Sequence, residues 1–251
     1  MRYVFDLGEK AALSQRLCGR QAAETARLLL QGFAVPRGFV VSVRAVRRII
    51  GKDLTASIHG ASGICEEASK RLRDRIAERP LPRRLQRQLV SAYRSLAGAA
   101  TVRLSICSDA LQPAVLGKLL DTILEAADET TLIRAVKNCL ASVFNKTLIH
   151  YIDKASIDAS GRKQSILCPA VLVQRAVAAE AAGVAFSADP VSGAERALVE
   201  TATKPANQSG TGPIAPSRYQ VYPDGTLVNI PTGASSDQLP SELLREVADL
   251  A

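Results

Sequence analysis

Polar residues interrupt or end apolar stretches at three places in this sequence, and their types suit work on a nucleotide. Arg103 lies inside Thr101-Val102-Arg103-Leu104-Ser105, Gln174 and Arg175 follow Val171-Leu172-Val173, and Glu200 ends Ala197-Leu198-Val199. The forked guanidinium of an arginine at a strand end makes bidentate contact with phosphate oxygens, and a carboxylate across a cleft serves a Mg²⁺ ion or a ribose hydroxyl. Taken singly, each also suits an edge strand with one face in water. Competing chemistries have few members to draw on. Only His59 and His150 are available for histidine-based triads or His/Cys metal centres, and the cysteines (Cys18, Cys65, Cys107, Cys139, Cys168) are widely spaced with no CxxC pair. The cysteines are read as reduced, buried thiols.

The elements that must hold these residues form a helical first part and a β-rich second part. Residues 22–31 read as a helix ending at Gly32, Phe39-Val40-Val41 as a short buried strand, and Ser42 as the cap of a helix stopped by Gly51. Residues 65–97 read as two amphipathic helices broken at Pro80-Leu81-Pro82, because proline lacks the amide donor that a helix interior needs. Thr101–Ser105 is a strand, Leu119–Ala127 an amphipathic helix, and Leu132–Ile152 a long helix with one core face. The polar stretch 153–165 marks a lobe boundary. Beyond it the period changes to two, with a strand over 171–177, Val184 and Phe186 on its partner, and a third strand over 197–201. Pro223-Asp224-Gly225 supplies the turn of a hairpin, and a helix runs from Ser241 to the last residue. These readings predict an α+β fold of two lobes, 1–153 largely helical and 166–251 mainly antiparallel β, with the ligand in the cleft between them.

Composition narrows the class. A chain of 251 residues with 47% hydrophobic and 22% charged residues is that of a globular protein rather than a disordered or collagen-like one. Its apolar runs are far shorter than the roughly 20 residues of a membrane span, and Glu9-Lys10 arrives before a signal-peptide core has formed, so a cytoplasmic protein without membrane contact is expected. Much of the net charge of +8 is local: between Glu66 and Arg94 there are nine basic residues against four acidic ones. Apolar residues at Leu72, Ile76, Leu85 and Leu89 put those cations on the solvent face of helices, which solubilises the chain. With Tyr93 the sole aromatic residue among them, a stacking platform for nucleic acid is not supported.

Longer motifs add a resemblance. Val171-Leu172-Val173-Gln174-Arg175-Ala176-Val177 and Gly183-Val184-Ala185-Phe186-Ser187-Ala188-Asp189-Pro190-Val191-Ser192-Gly193 resemble the "VQRMV…AGVxFTxDPxTG" signature of phosphoenolpyruvate synthases, pyruvate phosphate dikinases and rifampicin phosphotransferases. Gly32 to Val41 is similar to that family's "GFPVPPGFVV", Val102-Arg103-Leu104-Ser105 to its "VRSS", Leu140 to Asn145 to its "ASLFN", and Pro216 to Val221 to its "PDxYxV". The matches keep their order along nearly the whole chain. The resemblance implies an ATP-grasp domain that binds ATP with Mg²⁺ and passes a phosphoryl group to a histidine on a swivelling domain, a transfer catalysed by positioning and charge neutralisation. By position Arg103 would contact phosphate as the catalytic cation, and the backbone from Gln174 through Ala176 and Val177 would receive adenine.

The departures from the family are equally specific. Its "GGK" loop carries a lysine for the ATP phosphates, and an ungapped count places Gln21 there, within Gly19-Arg20-Gln21. Arg20 is the nearest replacement cation, although its fork does not reproduce a lysine point charge. The loop from Ser105 to Lys118 has shifted its glycine and lost a serine of "SSATAEDxPxASFAG", and Thr201-Ala202-Thr203-Lys204-Pro205 follows Glu200 where the family has a glycine-rich turn. The sequence ends before the family's "DIEWA…LxxLQxRP" strands, so a separate chain carrying the phosphohistidine and pyruvate domains is the expected partner. A non-catalytic ATP-grasp-like interaction module is the alternative.

Overall fold

The computed structural model describes residues 1–59, 66–108, 124–148, 150, 167–202, 217–230 and 239–250. The chain divides into two compact units, Met1–Ala176 and Val177–Ala251. Both combine helices with antiparallel sheet, so the α+β reading holds.

The first unit is built on a five-stranded sheet in the order β1 (Val4–Asp6), β2 (Gly38–Val41), β5 (Leu167–Arg175), β3 (Ala100–Ser108) and β4 (Leu124–Ala126), with every neighbouring pair antiparallel. Side chains alternate between the two faces of a strand. Val171 and Val173 therefore enter one core and Leu172 the other, which is why this central strand is a continuous apolar run. One face carries Val41, Val102, Leu104, Val171 and Val173. It packs beneath α3 (Val43–His59), α4 (Glu66–Glu78), α5 (Arg83–Arg94) and α6 (Glu129–Ala141). The other carries Val40, Leu172 and Ala170 and is covered by α1 (Gln15–Cys18) and α2 (Arg20–Leu30), which supply Cys18, Ala22 and Ala26.

Local signals explain most of these elements. Leu85, Leu89 and Tyr93 recur every four residues on the buried side of α5, while Arg83, Arg84, Arg87 and Arg94 face solvent. Asp128 and Thr131 form a reciprocal capping box at the start of α6. Gly51 breaks α3 with φ +78°, a conformation that costs glycine little, and Arg79 Nη1 caps the interrupted turn by donating to the Ile50 carbonyl at 2.9 Å.

Several expectations are corrected. Ser42 does not cap α3 with its side chain, because its hydroxyl is buried without a hydrogen-bond partner. Leu124-Glu125-Ala126 is the edge strand β4, paired with Ala100–Val102, so tertiary pairing overrides a helical pattern there. Helix α6 stops at Ala141 and a 3₁₀ turn, Ser142–Phe144, ends it; the extended Asn145 then interrupts the expected long helix, and its side chain accepts the Thr147 amide at 2.9 Å as the cap of a separate helical turn over 146–148. The strand expected to open the second lobe is the centre of the first unit's sheet, and the boundary falls after Ala176. The polar stretch 153–165 lies outside the described residues.

The second unit is a four-stranded meander, β6 (Ala182–Phe186), β7 (Ala197–Ala202), β8 (Ser217–Val221) and β9 (Leu227–Ile230), with α7 (Ser241–Asp249) on one face. Val199, Tyr219 and Val221 pack there against Leu244. Val184 and Phe186 pair with Glu200 and Leu198 of β7, not with the 171–177 segment. Among the described residues no helix is long and apolar enough to cross a membrane.

Candidate functional site

Cross-strand register puts the polar residues of β3 and β5 on one face of the first sheet. Arg103 lies opposite Leu172, Thr101 opposite Gln174, and Ser105 opposite Ala170. Since partners directly across a ladder share a face, Thr101, Arg103, Ser105 and Gln174 stand on the side covered by α1 and α2.

The start of α2 is fastened to this face. The buried Ser105 hydroxyl accepts a hydrogen bond from the Ala22 amide at 2.9 Å, which satisfies one of the donors that a helix N-terminus leaves unpaired. Gly19 precedes the helix with φ +76°, and a Cβ there would fall 2.0 Å from the Ser105 carbonyl oxygen, so the approach requires glycine. Arg103 is two positions along β3 from Ser105, roughly 7 Å along the strand. A half-buried guanidinium and the positive end of an eleven-residue helix thus share one patch.

Arg103 is held by a neutral group. Its Nη2 donates to Gln174 Oε1 at 2.6 Å. Gln174 is itself only 6% exposed, and its Nε2 donates to the Pro36 carbonyl at 3.2 Å, which fixes which end of the amide faces the arginine. Burial lowers the Arg103 pKa, because desolvation disfavours the charged form. No carboxylate among the described residues pairs with it.

The other expected site residues have different surroundings. Arg20, the first residue of α2, turns along the helix to Glu24 (2.6 Å) in an exposed pair. Gln21 is exposed, and its carbonyl accepts from Thr25 Oγ1 at 2.7 Å. The Arg175 and Ala176 amides donate to the carbonyls of Arg37 and Ala99, both at 2.8 Å, so the Ala176 N–H is already engaged. Val177, 65% exposed, begins the second unit. Glu200 faces Arg218 across β7 and β8, with Oε1 and Nε 2.7 Å apart. The described residues include no group of three or more His, Cys, Asp or Glu placed to hold a metal ion, and the Glu200 carboxylate is paired with Arg218.

Sequence reasoning did not assign roles to Ser105 and Gly19. The available signal was the two-residue spacing of Arg103 and Ser105, which puts both on one strand face.

A half-buried cation that pairs with no carboxylate among the described residues, next to a helix N-terminus, is suited to a phosphate group. The comparisons agree with that class. Residues 15–206 match the family described as pyruvate phosphate dikinase, AMP/ATP-binding domain, and this chain belongs to that family. Its relatives include a phosphoenolpyruvate synthase of Aeropyrum pernix, 28% identical over 82% of this chain and 27% of that protein. A rifampicin phosphotransferase of Streptomyces sviceus is 29% identical over 76% of this chain and 23% of its own length. A probable phosphoenolpyruvate synthase of Staphylothermus marinus is 26% identical over 94% of this chain and 29% of its own length. The chain thus spans between 23% and 29% of the length of these curated relatives.

Proposed function

We propose that this chain is the nucleotide-binding part of a phosphotransferase of the phosphoenolpyruvate synthase type, with ATP-grasp architecture and ATP as its phosphoryl donor. The observation that carries this reading is Arg103, half-buried, bonded to a neutral amide and lacking a carboxylate partner among the described residues. A phosphate supplies the missing negative charge, and charge-assisted bonds are stronger than neutral ones. In this reading Arg103 binds and orients phosphate oxygens and stabilises charge as a phosphoryl group leaves. Gln174 keeps the guanidinium aimed, and Ser105 with Gly19 holds the start of α2 beside it. Adenine takes the chain around Val177, since the Ala176 amide is bonded to Ala99. The phosphoryl group passes first to a histidine on a separate chain or domain that carries the phosphohistidine and pyruvate functions. Mg²⁺ enters bound to ATP as part of the substrate, and no step here is assigned to a protein-held metal.

A second reading, a nucleotide-binding or interaction module without transfer, is favoured by one feature. The position equivalent to the phosphate lysine is the neutral Gln21, while the adjacent Arg20 is turned to Glu24.

Calorimetric titration of the chain with Mg-ATP tests the first reading. Binding is expected, weakened at least tenfold in Arg103→Ala, in line with the roughly 1.5–3 kcal/mol of a hydrogen bond to a charged group. An absence of binding at millimolar nucleotide overturns it. Binding that Arg103→Ala leaves unchanged overturns the role given to Arg103. Binding together with failure to phosphorylate a supplied phosphohistidine domain favours the module.

A further inference from the structure

We infer that Cys107 and Cys168 form a reversible disulfide site whose oxidant is a small-molecule disulfide. The two cysteines are direct partners in the β3–β5 ladder. Partners in an antiparallel pair have Cα atoms about 4.5–5.5 Å apart and side chains on one face, which lies within the roughly 4.4–6.8 Å that a disulfide spans. Both sulfurs are present as thiols. Cys107 is half-buried, with its Sγ donating to Gln15 Oε1 at 4.0 Å, and Cys168, 6% exposed, stands directly across the ladder from it.

The remaining described cysteines are less suited. Cys18 shares the apolar cluster with Cys168 but sits on α1, outside the ladder that sets Cys107 and Cys168 face to face. Cys139 lies in the other core, its thiol pushed by burial to about 12. The cluster of Cys18, Cys107 and Cys168 is also not a metal centre, since no metal-holding group of three such residues occurs among the described residues.

The exchange balances without a further reagent. The Cys107 thiolate attacks one sulfur of the oxidant and expels the other as a thiolate, leaving a mixed disulfide on Cys107. Cys168 then loses its proton and attacks the Cys107 sulfur, which expels the second small thiolate. Two cysteine thiols are oxidised, one small disulfide is reduced to two thiols, and the protons released by the cysteines end on those products. The new bond ties β3 to β5 on the face that also carries Ser105 and Arg103, a cross-link independent of whether nucleotide binds there.

The test is equilibration of the full chain with graded ratios of oxidised to reduced glutathione, followed by acid quenching, thiol alkylation and peptide mapping by mass spectrometry. A peptide linking Cys107 to Cys168 is expected to accumulate as the ratio rises and to disappear with dithiothreitol. Cys139→Ala should leave it unchanged, whereas Cys107→Ala should abolish it. Mapping the unmodified sequence does not depend on how well a variant folds. Three results would overturn the inference: both residues remaining thiols at every ratio while circular dichroism shows folded protein, glutathione remaining on Cys107 unresolved, or a link to any other cysteine.

Discussion

Arg103 donates to the side-chain carbonyl of Gln174 at 2.6 Å, joining residues 71 positions apart across adjacent strands. The acceptor is neutral, so the guanidinium is oriented without being neutralised. Gln174→Glu places a carboxylate where the amide oxygen stands. It is expected to weaken ATP binding about tenfold, because the introduced carboxylate pairs with Arg103 and competes with phosphate, equivalent to roughly 1.4 kcal/mol. Calorimetry on the two proteins at equal salt checks this.

Removing the Ser105 hydroxyl returns the Ala22 amide to the unpaired donors of α2. Ser105→Ala is expected to lower stability by about 1–2 kcal/mol, as for loss of a helix cap, measured as a shift of the urea midpoint at unchanged slope. Gly19→Ala should cost more, since its Cβ meets backbone 2.0 Å away and the residue has positive φ.

Gln21→Lys adds a cation at the start of α2, at the position the proposed function equates with a phosphate-binding lysine. Nucleotide affinity is expected to rise several-fold at low salt and to lose that gain as ionic strength increases, which a titration series in sodium chloride measures. A helix N-terminus disfavours positive charge, so the same change should lower thermal stability slightly without nucleotide.

Asp189 predicts an acid response in the second unit. Its carboxyl is held well below the usual carboxylate range, first by the hydrogen bond from Arg196 (2.9 Å) and then by the Val191 and Ser192 amides. A folded pKa below the unfolded one gives stability that is present above about pH 3.9 and is lost as pH falls through the folded value. Hydrogen-exchange protection across residues 187–197, corrected for the intrinsic rate at each pH, should fall below pH 4, and Asp189→Asn should remove that pH dependence while lowering protection at neutral pH.

Much of the architecture was legible because it is written in local periodicity. The four-residue recurrence of Leu85, Leu89 and Tyr93, the prolines between α4 and α5, and the Pro223-Asp224-Gly225 turn each act within a few residues. Reading failed where distant chain settled the outcome. Leu124-Glu125-Ala126 is a strand because Ala100–Val102 offers it a partner, and the 167–175 strand joins the first sheet because β2 and β3 flank it. Of the candidate site, Arg103 and Gln174 stood out as polar residues in apolar strands, but Arg20 and Glu200 looked available until their partners, Glu24 and Arg218, were seen beside them.

By itself the sequence determined the α+β class, the ordered motifs of an AMP/ATP-binding family and the unusual polar residues within its strands, because residue type and local period carry that information. Tertiary structure alone decided which residues meet. Strand register depends on hydrogen bonds and packing between segments far apart in the chain, and a slip of one residue would send every side chain to the opposite face. That register sets Gln174 beside Arg103, brings Ser105 under α2, and puts Cys107 opposite Cys168 although the sequence shows them only as widely spaced thiols.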